Sequence, residues 1–178
     1  PTNYGTAVFI EDNSGLLIQH CIISECKRTG DVAGTAIQIG DTETSGPQTG
    51  VESCVFKNNI GGGIGASKKS FFCHNSLFMD NINLRLSNGH VANPAQEYRN
   101  CILVRNSGNS SMVLGHGKRA ENCLFIENTN YSSGIGYVGT NWSGINTYDH
   151  CTFFGNSGTY YSSNWHDHRG DIRSCIFQ

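Results

Sequence analysis

One short pattern recurs along this chain and limits what it can fold into. ENCLFIEN, Glu121 to Asn128, returns in altered form as VESCVFKNN around Cys54, HNSLFMDN around Ser76, YRNCILVRN around Cys101 and YDHCTFFGN around Cys151. LLIQHCIISEC carries it around Cys21, and IRSCIFQ opens it again at Cys175. With the Cys or Ser as position zero, position plus two reads Ile23, Phe56, Phe78, Leu103, Phe125, Phe153 and Phe177. Position minus three reads Ile18, Val51, Cys73, Tyr98, Ala120, Tyr148 and Ile172, and position plus five reads Cys26, Asn59, Asn81, Asn106, Asn128 and Asn156. The zero positions lie 22 to 33 residues apart, the range in which one supersecondary unit is stacked on itself.

The unit is a strand and not a helix. Apolar runs are short, 22 glycines punctuate the chain, and no window sustains a three-and-four apolar spacing. Residues i and i+2 share a face of a strand, so Cys-x-Phe points both side chains inward. One strand per repeat, entered and left by the same signals, predicts parallel strands in register with variable turns outside the stack. An Asn at the same bend of every repeat predicts a buried ladder. Each amide bonds the backbone and its neighbours above and below, and Asn also tolerates the left-handed backbone expected at such a bend.

These stacked apolar rows and the asparagine file resemble the right-handed, single-stranded parallel β-helix of the pectate-lyase-like superfamily, from about Gly15 onward. The expectation is one all-β solenoid domain over residues 1–178, of about seven rungs, with an Asn ladder, a Cys/Phe inner stack and uncapped ends. The resemblance speaks for fold. It leaves function open, because that fold hosts lyases, hydrolases, phage tailspikes, adhesins and plain shafts.

Composition narrows the partners. Of 178 residues 15% are charged and the net charge is −2, which gives no footing for nucleic acid or a membrane surface. No apolar run is long enough to span a membrane and no signal peptide is read. The chain begins at Pro1 without a Met, as expected of a processed product, an excised fragment or one unit of something longer. Eight cysteines invite a disulfide reading, but stacked parallel Cβ vectors suit one poorly. Cys21, Cys54, Cys101, Cys123, Cys151 and Cys175 are expected as buried small hydrophobes. Cys26 and Cys73 lie off that column and are the candidates for any disulfide.

Two features point to self-association. The ends match: CIFQ followed by PTNYGTAVFI parallels CLFIENTNYSSGIGYV, with TNY at nearly the same offset. Open rungs are otherwise an aggregation liability, so head-to-tail stacking and excision from a longer β-helix both fit. The outward positions plus one and plus three hold Leu77, Met79, Ile102, Val104, Leu124, Ile126 and Phe154. Strand propensity accounts for Val and Ile there, whereas Met79, Leu124 and Phe154 together predict lateral packing against protein.

Candidate chemistry sits at position minus two, which reads Gln19, Glu52, His74, Arg99, Glu121, Asp149 and Arg173. Glu121 and Asp149 on adjacent rungs, flanked by Arg99 and Arg173, have the makings of an acid/base pair for glycoside hydrolysis; a ladder of solvated ion pairs explains the same residues. The resemblance implies outward carboxylates for a hydrolase, and a calcium site with a basic residue for a lyase; otherwise no cofactor is expected. His166 and His168 share a strand face and are candidate metal ligands; a solvated turn explains the same residues. Trp142, Trp165, Tyr160 and Tyr161 are candidate sugar platforms. The reading is thus a structural or interaction segment of an extracellular fibre or surface protein, assembling end to end and side by side. The alternatives are a polysaccharide-degrading enzyme using Glu121 and Asp149, and a carbohydrate-binding adhesin using the tryptophans.

Overall fold

Two bends per repeat, each made by a single left-handed residue, turn the strand pattern into a wall. In the computed structural model residues 8–10, 15–27, 36–39, 49–60, 63–66, 71–82, 96–108, 118–130, 147–157 and 171–178 are described. The first sheet stacks seven strands in chain order: Leu17–Gln19, Thr49–Glu52, Phe71–His74, Gln96–Arg99, Lys118–Glu121, Thr147–Asp149 and Asp171–Arg173. The second sheet also has seven, again in chain order: Ile22–Ser24, Val55–Lys57, Leu77–Met79, Ile102–Val104, Leu124–Ile126, Thr152–Phe154 and Ile176–Phe177. A third, of three strands, is built from Val8–Ile10, Ile37–Ile39 and Ile64–Ala66, and Ser107–Gly108 pairs with Thr129–Asn130. The pairings are parallel, and the register aligns equivalent positions of successive repeats, as in Phe56↔Phe78 and Leu103↔Phe125. Each repeat therefore gives one strand to each main sheet, and the chain winds as a β-helix, or solenoid.

The inward residues fill the interior. Phe56 stacks on Phe78 at 4.6 Å, Phe125 on Phe153 at 4.7 Å and Phe153 on Phe177 at 4.7 Å, with Leu103 between the two runs. From the minus-three column Tyr98 and Tyr148 enter edge-on, against Phe71 and against Phe125 and Phe153 respectively. Each such ring, fully buried, contributes roughly 1.5–3 kcal/mol relative to exposure.

The Asn ladder runs without a break from Asn59 to Asn156. Asn59, Asn81, Asn106 and Asn128 each donate Nδ2 to a carbonyl of the preceding rung, those of Ile23, Phe56, Phe78 and Leu103, and to the Oδ1 of the next Asn. Each Oδ1 from Asn59 to Asn156 also accepts the backbone N–H of the residue before it in the column, beginning with Cys26. The bend residue itself is one place earlier than expected. Positive φ falls at Glu25, Asn58, Asp80, Arg105, Glu127 and Gly155, ahead of the ladder, and at His20, Ser53, Asn75, Asn100, Asn122, His150 and Ser174, ahead of the zero position. The corner turns on the preceding residue, which aims the Asn inward; the ladder asparagines are not left-handed.

The zero column has a chemical rationale beyond size. Each thiol donates to the carbonyl two residues before it, as Cys54 Sγ does to Glu52 O at 3.3 Å and Cys123 Sγ to Glu121 O at 3.3 Å. Ser76 makes the same bond through Oγ to His74 O at 2.8 Å. The slot takes a small side chain that carries a donor. All eight cysteines are free thiols. Cys26 occupies the first ladder position, and Cys73 is buried with its Sγ 3.9 Å from that of Cys101. Cys21, expected inside, is exposed, because among the described residues its strand is the outermost of the second sheet.

Candidate functional site: a charged face and an apolar face

Alternation leaves every second residue of each strand facing out, and the two main sheets use that face differently. On the first sheet the register places Gln19, Glu52, His74, Arg99, Glu121, Asp149 and Arg173 in one file. Arg99, Glu121, Asp149 and Arg173 are thus consecutive, as their sequence positions predict. A second file two residues earlier runs Leu17, Gly50, Phe72, Glu97, Arg119, Thr147 and Asp171. The two files interlock. Arg99 Nη2 lies 2.7 Å from Glu97 Oε1 and 3.2 Å from Glu121 Oε2, and Arg119 Nη2 lies 3.1 Å from Glu121 Oε2 and 3.8 Å from Asp149 Oδ2. His150 Nδ1 lies 2.8 Å from Asp149 Oδ1, and His74 Nε2 3.8 Å from Glu97 Oε1. At the other end Gln19 Nε2 donates to Glu52 Oε2 at 2.8 Å.

This arrangement has chemical consequences. Glu121 has a guanidinium on either side, and Asp149 has a guanidinium and an imidazole. Their oxygens are engaged by neighbours of the same chain, where a general acid and base would need to be free toward a substrate. Arg119 and Glu97 are the members that reading the minus-two column alone misses. Alternation within QEYR and KRAE is the signal that finds them, since it puts Glu97 with Arg99 and Arg119 with Glu121. Above the charged stretch Phe72 lies flat over Gly50: a Cβ built on Gly50 would stand 2.1 Å from Phe72 Cζ. Its ring also meets His74 at 4.7 Å.

The second sheet presents the opposite character. Its outward files are Ile22, Val55, Leu77, Ile102, Leu124, Thr152 and Ile176, and Ser24, Lys57, Met79, Val104, Ile126, Phe154 and Gln178. Lys57 is the one charged residue in those files. Ile22 is 67% exposed, Phe154 47%, Ile102 38% and Leu124 36%, while Val55, Leu77, Met79, Val104 and Ile126 are half-buried. The seven residues expected as an interface therefore form one contiguous patch on four neighbouring strands. The corner file beside it is charged: Arg105 holds Asp80 with Nε at 2.8 Å and Nη2 at 2.9 Å, and Glu127 follows on the next rung. Both Asp80 and Glu127 push the Arg105 guanidinium above its ordinary value, Asp80 more strongly. On the opposite corner Asn100 Nδ2 donates to Asn75 Oδ1 at 3.0 Å, a second and exposed amide contact.

Trp142, Trp165, Tyr160, Tyr161, His166 and His168 lie outside the described residues. Among the described residues no group of three or more His, Cys, Asp or Glu is arranged to hold a metal ion, and no helix is long and apolar enough to cross a membrane. Comparison of the chain with protein-family models, with curated proteins and with solved structures finds no match in any of the three.

Proposed function

We propose that the chain is a structural, non-catalytic segment of an extracellular fibre or cell-surface protein, a right-handed single-stranded β-helix of about seven rungs resembling the pectate-lyase-like type. It joins other protein through its strand edges and its apolar outer face. The observation that carries this reading is the patch formed by Leu77, Met79, Ile102, Val104, Leu124, Ile126 and Phe154 on one sheet face. Covering apolar surface gains about 25 cal/mol per Å², and a patch of this continuity marks an interaction surface.

The two ends of the stack support it. Among the described residues the outermost strands, Leu17–Gln19 with Ile22–Ser24 and Asp171–Arg173 with Ile176–Phe177, have a neighbour on one side only. Phe177 rests on Phe153 and is 51% exposed. An unpaired edge with an exposed ring above it is a template for further rungs, and a copy docked head to tail continues the same pairing as further rungs of one chain do. Negative-stain imaging of the purified chain tests this. Rods longer than one copy, lengthening with concentration, are expected, and monodisperse rods of single-copy length overturn it.

A polysaccharide-cleaving enzyme is the second reading, favoured by the adjacency of Glu121 and Asp149 in one file. Neighbouring strands stand about 4.8 Å apart, near the roughly 5–5.5 Å of a retaining carboxylate pair. Scoring a glycan panel for new reducing ends or unsaturated products decides between the two. Turnover that Glu121→Gln abolishes would replace the structural reading.

A further inference from the structure

We infer that the apolar face of the second sheet is a self-complementary interface, taken by a second copy of this chain lying antiparallel, with Arg105 of each copy over Glu127 of the other. The inference rests on the structural reading above and names the occupant of its outer face.

The apolar patch is centred between the strands Ile102–Val104 and Leu124–Ile126, with Leu77–Met79 and Thr152–Phe154 outside them. A two-fold axis along the strand direction through that centre brings the face onto its own copy. Val104 then meets Ile126 of the second copy, Ile102 meets Leu124, and Met79 meets Phe154. Lys57 falls opposite Gln178 at the rim and opposes no apolar side chain. Face-to-face sheets keep their strands within about 30° of each other, so these pairs stay in reach.

Charge and the place of Lys57 together select this arrangement over its rivals. The corner file beside the patch carries Asp80, Arg105 and Glu127 on successive rungs. The two-fold just described sets it against itself in reverse, so Arg105 faces Glu127 twice and Asp80 faces Gly155. Moving the axis half a rung, onto the strand Ile102–Val104, sets Arg105 against Arg105 and Asp80 against Glu127, which is repulsive. With the two stacks parallel, the charged file faces the neutral corner instead, Arg105 over Asn100 and Glu127 over Asn122, and the charges do no orienting. An axis between the strands Leu77–Met79 and Ile102–Val104 also sets Arg105 against an acid, Asp80, but it puts Lys57 over Ile126; the antiparallel pairing between Ile102–Val104 and Leu124–Ile126 joins the charged edge to an apolar centre that Lys57 does not enter.

The size of the contact sets its strength. Six overlapping strands at about 4.8 Å extend about 29 Å, and the strands with their corners are about 15–20 Å wide. That is roughly 500 Å² per copy, short of the ~800 Å² of a standard stable interface. A single pair is therefore concentration-dependent, and head-to-tail stacking strengthens it by repeating the contact.

The test is sedimentation velocity over a concentration series on four samples: the natural sequence, Arg105→Glu, Glu127→Arg, and an equimolar mixture of the two variants. The natural sequence is expected to pair. Each variant alone, with a like-charged edge, is expected to weaken pairing at least tenfold, while circular dichroism shows both folded. The mixture is expected to pair again, because the carboxylate introduced in one chain then meets the guanidinium introduced in the other. Side pairing that neither substitution changes overturns the inference, as does a natural chain that shows no side pairing at any concentration. Rods that lengthen in negative stain without widening leave the structural reading standing while removing this one; single-copy rods remove the structural reading itself.

Discussion

Asn106 Oδ1 accepts two hydrogen bonds from Asn81, one from its backbone N–H at 3.1 Å and one from Nδ2 at 2.8 Å. Asn106 also donates to Phe78 O and to Asn128 Oδ1. One side chain thus satisfies buried groups on the rungs either side of its own. Asn106→Ala strands them, at about 1–3 kcal/mol for each unsatisfied group, and is expected to lower unfolding free energy by about 3–5 kcal/mol in urea titration. Asn156→Ala, at the part-buried end of the ladder, is expected to cost less.

Gly50 is where the outer surface tolerates no side chain. With Phe72 Cζ 2.1 Å from the place a Cβ would take, Gly50→Ala must move the ring off the sheet. The expected loss is about 1–2 kcal/mol. Phe72→Ala removes the obstruction, so in the double variant Gly50→Ala should add little; equal costs in both backgrounds would show that the clash is not the cause.

Tyr148 is fully buried, and its hydroxyl has no hydrogen-bond partner among the described residues. A buried hydroxyl left unpaired costs free energy. Tyr148→Phe keeps the edge-on contacts with Phe125 and Phe153. It is expected to leave stability unchanged or raise it by up to about 1 kcal/mol. A loss above that in thermal or urea unfolding would reveal a partner for the hydroxyl.

The thiol column sets an alkaline limit on stability. The neighbouring Cys101 thiol and burial push Cys123 from the ordinary 9.0 up to about 12. The Cys123 thiol and burial raise Cys151 further still. A raised folded value means that the folded chain holds its proton where the unfolded chain has lost it. Stability from these groups is complete below pH 9.0 and falls as pH climbs through the raised values, first toward about 12 for Cys123. Urea midpoints should therefore drop above pH 9.0 in the natural chain, and less steeply in Cys123→Ser. Iodoacetamide at neutral pH should label exposed Cys21 first and spare Cys101, Cys123 and Cys151 until unfolding.

The charged file of the first sheet is expected to matter little to folding. Glu121 sits in a surface network, and exposed ion pairs are worth about 0–1 kcal/mol. Glu121→Gln should shift the unfolding free energy by no more than that, with the effect shrinking in high salt.

The columns are legible in the sequence because strand geometry enforces them. A one-residue slip would turn Phe56, Phe78 and Phe125 out into water, so plus two, minus three and plus five have to recur. The corners are not legible. The left-handed turn is made by Glu25, Asp80, Arg105 and Glu127 as readily as by Asn58 or Gly155, and no residue type announces it. Sequence reasoning therefore assigns the turn to the conspicuous Asn beside it. Cys21 misleads for a different reason. The repeat marks it as interior, but interior status depends on a neighbouring rung, and a repeat does not show which copy is outermost. The minus-two file reads correctly as a column, while its partners Glu97 and Arg119 escape notice, because repeating a column and filling a face are different requirements. The charged edge of Asp80, Arg105 and Glu127 becomes visible only once the corner is located.

The corners carry a further meaning. Their backbone is pinned from inside by the amide and thiol files, while side chains there vary from Ser and His to Asp, Arg and Gly. They make two rows of tolerant anchor points along the shaft, graduated at about 4.8 Å. The molecule is in that sense a ruler: groups grafted at its graduations would be held at set separations, and changing one mark would leave the scale of the others intact.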